Sequence, residues 1–115
     1  MRFLFLLHGD AEAERGLSDA ERRAIVAGHA TFATSLRERG AYVLGEALTG
    51  EALVVRPGAP PLVTDGPYAE SKDAVGGFYV VECPSRDEAL DLAASVPRSP
   101  GLAVEVLAVA GASGA

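Results

Sequence analysis

The sequence predicts an α+β fold, a single antiparallel sheet with its helices on one face, and three observations carry that prediction. Apolar runs of strand length occur at Arg2 to Leu7, Phe78 to Cys83 and Leu102 to Val109. Two segments with apolar residues at helical spacing lie between the strands, each opened by a Ser-x-x-Glu capping pattern. The turn signals Thr49-Gly50, Pro57-Gly58-Ala59-Pro60-Pro61 and Asp65-Gly66-Pro67 crowd the middle of the chain, where only short strands fit between them.

The first strand is apolar on both alternating sets, Phe3/Phe5/Leu7 and Leu4/Leu6, so both of its faces need covering. His8-Gly9-Asp10 then leaves the strand for a polar loop, Ala11 to Leu17. At Ser18-Asp19-Ala20-Glu21 the serine side chain can accept from the backbone three residues on while Glu21 reaches back. A helix follows to about Arg39, with Gly40 as its stop. Its stripe is Ile25, His29, Phe32 and Leu36, with Val26 and Ala33 beside it, which turns His29 inward.

Ala41 to Leu48 is the second strand, and Glu46 stands there among small and apolar residues. Thr49-Gly50 is expected to turn it into a third strand, Glu51 to Arg56. The prolines at 57, 60 and 61 break that run, and a short strand, Leu62-Val63-Thr64, leads into Asp65-Gly66-Pro67. That turn has a mechanism: Asp bonds its own backbone, Gly opens conformational space and Pro fixes φ. A charged loop with Glu70, Lys72 and Asp73 is expected between it and Gly76-Gly77, which release the strand Phe78 to Cys83. Ser85-Arg86-Asp87-Glu88 opens the second helix, with Ala89, Leu92, Ala93 and Val96 apolar and Pro97 ending it. After the loop Arg98 to Gly101 comes the last strand, and residues 111–115 are expected to be a flexible tail.

The order is therefore β-α-β, an inserted β-hairpin, and β-α-β, the ferredoxin-like split arrangement with both helices on one side of the sheet. The other side is left bare. Its two-sided apolar strands would expose a large patch in a monomer, and a homodimer joined through that face is the expected assembly.

With 115 residues, residues 1–110 are expected to make a single domain able to bury a core without disulfides or metal. A formal net charge of -6 and the lack of any Lys/Arg run argue against nucleic-acid binding. Arg2 followed by Phe3 to Leu7 is too short for a secretory h-region, and no run approaches the ~18 apolar residues of a membrane span. Cys83 is the only cysteine, which fits a reducing, cytoplasmic setting and a small buried hydrophobe rather than a nucleophile.

Asp65-Gly66-Pro67-Tyr68, the acidic Glu70 and the entry Gly76-Gly77-Phe78 together resemble the DGPF-type branch of the YCII-related proteins. Tyr68 stands where Phe is commoner there. The similarity runs from Phe3-Leu4-Phe5-Leu6-Leu7 through Gly45-Glu46-Ala47-Leu48 to Val104-Glu105-Val106. The resemblance implies a dimeric ferredoxin-like α/β barrel. It also implies, for the branch with a helix-borne histidine and an aromatic three residues later, acid-base chemistry by that histidine with an aspartate. His29 and Phe32 match the first half of that pattern, whereas Gly45-Glu46-Ala47-Leu48 leads to Thr49-Gly50 and supplies no aspartate.

A histidine in a buried stripe either bonds a backbone carbonyl of the core or sits by a carboxylate that moves its pKa across the physiological range. The partners within the sequence are Asp65, Glu46 and Glu70. His29 and Asp65 are accordingly the candidate catalytic pair, with Glu46, Tyr68, Glu70, Lys72 and His8 as candidate ligand contacts. His8, Asp10 and His29 lack metal-ligand spacing, and no phosphate loop, dinucleotide fingerprint or Gly-x-Ser-x-Gly elbow is present, so neither metal nor cofactor is expected. Two functions stay open: acid-base chemistry by His29 on a small aromatic or carbonyl compound, or a non-catalytic ligand-binding or regulatory module. The resemblance associates the second with extracytoplasmic-function sigma factors.

Overall fold

The computed structural model describes residues 1–68 and 73–111. Its elements are β1 (Arg2–Asp10), α1 (Ala11–Arg15), α2 (Asp19–Glu38), β2 (Tyr42–Ala47), β3 (Leu53–Arg56), β4 (Leu62–Asp65), β5 (Asp73–Glu82), α3 (Arg86–Ala94) and β6 (Ala103–Ala108). Four strands form an antiparallel sheet in the order β2-β5-β1-β6, and β3 pairs only with β4 in a separate ribbon. The fold is α+β and ferredoxin-like, with α2 and α3 as the crossover helices.

Alternation in β1 sorts the sheet into two faces. Phe3, Phe5 and Leu7 are buried with Phe32 and Leu36 of α2 and Ala89 and Leu92 of α3, and Phe5 has no exposed surface at all. The other set, Leu4 and Leu6, pairs with Val80 and Phe78 of β5, and Leu107 of β6 lies opposite Leu4. Among the described residues no helix covers this face, and Leu44 and Leu107 on it are exposed. The total accessible surface is 7849 Å², whereas a compact monomer of 11.8 kDa is expected to show roughly 5,900 Å². The radius of gyration, 15.9 Å, likewise exceeds the ~13 Å of a compact chain of this length.

Both Ser caps are in place. Ser18 and Glu21 bond reciprocally at the start of α2, and Ser85 Oγ accepts from the Glu88 N–H at α3. The segment after Asp10, expected as loop, opens with a short helix instead. Asp10 accepts from the backbone N–H groups of Glu12 and Ala13, and the acidic residues of the first turn favour that end.

Two other expectations are corrected. Thr49-Gly50 does not join a paired hairpin, because Leu48 N–H donates to Gly76 O in β5 and the chain departs from the sheet there. The inserted hairpin is β3–β4, closed by the proline-rich segment. Gly76 and Gly77 do not precede the strand but lie inside it, since β5 begins at Asp73. The register slips between Leu7 and His8, which makes Gly76 the extra residue of a β-bulge. A side chain on Gly77 would come 3.0 Å from Glu46 O, so the close approach of β2 at this point needs glycine.

Candidate functional site

The stripe of α2 that buries Phe32 and Leu36 carries His29 one turn earlier, against β5. Its Nδ1 lies 2.7 Å from the Tyr79 hydroxyl. Tyr79 belongs to the same face of β5 as Val81 and is fixed from three sides. Phe32 meets its ring edge-on at 5.1 Å, the His29 ring stacks at 5.9 Å, and Gly45 of the neighbouring strand leaves room for it. A Cβ on Gly45 would stand 2.5 Å from Tyr79 Cδ1, so only glycine allows the phenol this position.

His29 also lines two adjoining hollows between α2 and the sheet. The larger, about 460 Å³, is bounded by Leu7, Leu17, Ile25, Leu48 and Leu102, with Glu14, Arg22 and Ser99 as polar groups. The smaller, about 320 Å³, runs beneath α2 past Tyr42, Gly45 and Tyr79. The β5 bulge at Gly76 borders both. Most of the wall is apolar, as small-molecule sites usually are. A third hollow, about 550 Å³ between α3 and β6, has Arg98 as its charged group and neither histidine nor carboxylate.

Burial sets the protonation of the pair. Loss of water lowers the His29 pKa below its ordinary value and raises that of Tyr79, which Tyr42 raises further, so at neutral pH both groups are uncharged. The phenol proton then has Nδ1 as its acceptor among the described residues. In the tautomer in which the phenol donates to Nδ1, the ring's own proton sits on Nε2, which has no partner among those residues. In that tautomer a neutral imidazole with a free Nε2–H can polarise a carbonyl or hold a developing oxyanion.

The other candidate residues are dispersed. Glu46 borders the smaller hollow but pairs in register with Phe78 and has no bond to His29. Asp65 is exposed at the end of β4, opposite Leu53 in the ribbon. Tyr68 is 81% exposed, with the Arg56 guanidinium 5.8 Å above its ring. His8 borders the larger hollow while its Nε2 lies 2.9 Å from Glu105 Oε1. Glu70 and Lys72 lie outside the described residues. Asp10, weighed as a ligand beside His8, is used as the cap of α1.

The histidine's partner is thus a phenol that sequence reasoning did not single out. A signal was present. Alternation puts Tyr79 on the buried face with Val81, and a buried tyrosine hydroxyl needs a partner. Arg22, too, was not singled out in the sequence. It donates to the carbonyls of Glu14, Arg15 and Leu17, holding the C-terminal end of α1 at the rim of the larger hollow.

The model of the YCII-related domain matches residues 1–110 of the chain. An uncharacterized protein of Rhizobium meliloti (strain 1021) is 34% identical over 84 residues, which are 73% of this chain. The chain spans 60% of that relative's length.

Proposed function

The chain belongs to the YCII-related family, and on that premise we propose that it is a homodimeric, cytoplasmic small-molecule-binding protein whose working centre is His29 with Tyr79. The observation that carries this reading is the 2.7 Å bond between the two side chains at the wall of an apolar hollow, with Nε2 of His29 unpaired among the described residues. The ligand is a small aromatic or carbonyl compound. Its apolar body fills the space among Leu7, Ile25, Leu48 and Leu102 while an oxygen accepts from Nε2–H, the acid side of proton-transfer chemistry.

A second reading, ligand binding without turnover, is favoured by one feature: none of the carboxylates of the described residues touches His29. That leaves the base of a proton transfer unprovided on this side of the ring. The association with extracytoplasmic-function sigma factors attaches to this reading. The homodimer is supported by the bare apolar sheet face and by the excess of exposed surface over that of a compact monomer.

A thermal-shift screen of small aromatic and carbonyl compounds tests both readings. A ligand present at a hundred times its dissociation constant stabilises the fold by about 2.7 kcal/mol. Compounds that stabilise the native protein should lose that effect in His29→Gln. Equal shifts in the two proteins would remove His29 from the site. For any hit, exchange of its acidic hydrogens with deuterated water, followed by NMR, separates catalysis from binding alone.

A further inference from the structure

Besides the bare sheet face, the β3–β4 ribbon is a part of the described chain whose apolar side chains find no core. In its register Leu53 faces Asp65 and Val55 faces Val63, so Leu53, Val55 and Val63 share one side, and they are 62%, 56% and 55% exposed. The other side carries Leu62, 56% exposed, opposite Arg56. Neither ribbon edge is paired among the described residues. An isolated two-stranded hairpin is marginal in water, and unprotected apolar strand edges invite pairing, so this element needs a covering surface.

The ribbon is also anchored rather than loose at its base. Leu48 N–H donates to Gly76 O at 2.9 Å and Gly66 N–H to Ala52 O at 2.8 Å. The ribbon therefore follows directly on the end of β2, an edge strand, where that strand is still bonded to β5.

We propose that the ribbon is an intersubunit arm, covered in the native protein by a second copy of this chain. The surface area supports that occupant. The chain exposes roughly 1,900 Å² more than a compact monomer of its mass, and twice that falls within the range of about 2,000–5,000 Å² buried in obligate homodimers. Exposed apolar residues lie on both the bare sheet face and the ribbon, and one interface would cover both. The arm rests on the homodimer reading above and adds a contact that face-to-face packing of the sheets does not contain. Because Leu48 and Gly76, which pin the arm's base, also line the larger hollow, docking of the arm fixes that wall of the hollow in the assembled protein.

Sedimentation equilibrium on the full chain, with Val55→Asp in the arm and Leu6→Asp on the sheet face, tests the proposal together with hydrogen exchange of the ribbon amides. The native protein should be dimeric at micromolar concentration. Val55→Asp should raise the dimer dissociation constant at least tenfold with the helical circular dichroism unchanged. Ribbon amides should be protected in the dimer and lose that protection on dilution to monomer. If Leu6→Asp dissociates the dimer while Val55→Asp leaves it intact, the homodimer stands and the arm is refuted. Ribbon amides that exchange freely in the dimer refute it too, and this measurement does not depend on the variant folding. Equal protection in monomer and dimer would show that the chain covers its own ribbon, and a native monomer would overturn arm and homodimer together.

Discussion

His29 on α2 and Tyr79 on β5 are 50 residues apart in sequence and 2.7 Å apart in space, and their bond ties a crossover helix to a central strand where the helix layer opens into a hollow. The contact is both structural and chemical, and variants separate the two contributions.

Tyr79→Phe keeps the ring, its edge contact with Phe32 and the space provided by Gly45, and removes the hydroxyl alone. The loss should be about 1 kcal/mol, a net hydrogen bond, in urea unfolding. The imidazole resonances of His29 should shift, and any ligand that depends on Nε2 should bind more weakly because the ring is no longer oriented. Unchanged stability and unchanged His29 resonances would show that the hydroxyl contributes nothing.

Acid should weaken the fold through His29. Burial disfavours the imidazolium, so the folded-state pKa lies below the ordinary 6.5 that the unfolded chain keeps. The unfolded state therefore binds more protons in this window, and stability rises with pH. The contribution is complete above 6.5 and is lost as pH falls through the folded-state value. Urea midpoints measured from pH 7.5 down to 5 should fall less steeply for His29→Gln than for the native protein. Parallel acid limbs would contradict the burial argument.

Gly45→Ala places a methyl group 2.5 Å from the Tyr79 ring, so the ring or β2 must move. Overpacking of this kind costs about 1–3 kcal/mol. The displaced hydroxyl should also release His29, so the variant should reproduce the His29 resonance shifts of Tyr79→Phe at a larger cost in stability. A variant as stable as the native protein would mean that β2 yields freely.

Asp65→Ala should be nearly silent in the isolated fold. The side chain is exposed at the end of a ribbon strand. Substitutions at such positions change stability by less than about 0.5 kcal/mol. Thermal unfolding of the variant should superimpose on that of the native protein, and compounds that depend on His29 should bind both alike. Loss of their binding would bring Asp65 back to the site.

The sequence by itself determined what is local or periodic. The Ser18/Glu21 box and the stripe Ile25, His29, Phe32, Leu36 placed α2, Ser85 placed the start of α3, and the two apolar sets of β1 announced one covered and one bare face. These depend on i to i+3 or i+4 contacts and on alternation, which a linear string displays. The short helix after Asp10 was legible in the same way, as a cap followed by helix-forming residues, but five residues are too few to show a stripe. What tertiary structure alone decided is which strand each edge meets and which side chain reaches His29. Thr49-Gly50 suits a hairpin turn, yet whether β2 pairs with the next strand or with β5 depends on burial of the whole sheet, and the core chose β5. The choice of Tyr79 over Asp65 or Glu46 follows from the same cause. The packing of α2 on β5 is set by Phe32, Leu36 and the space at Gly45, and that packing, rather than any preference of histidine for a carboxylate, brings the phenol to Nδ1.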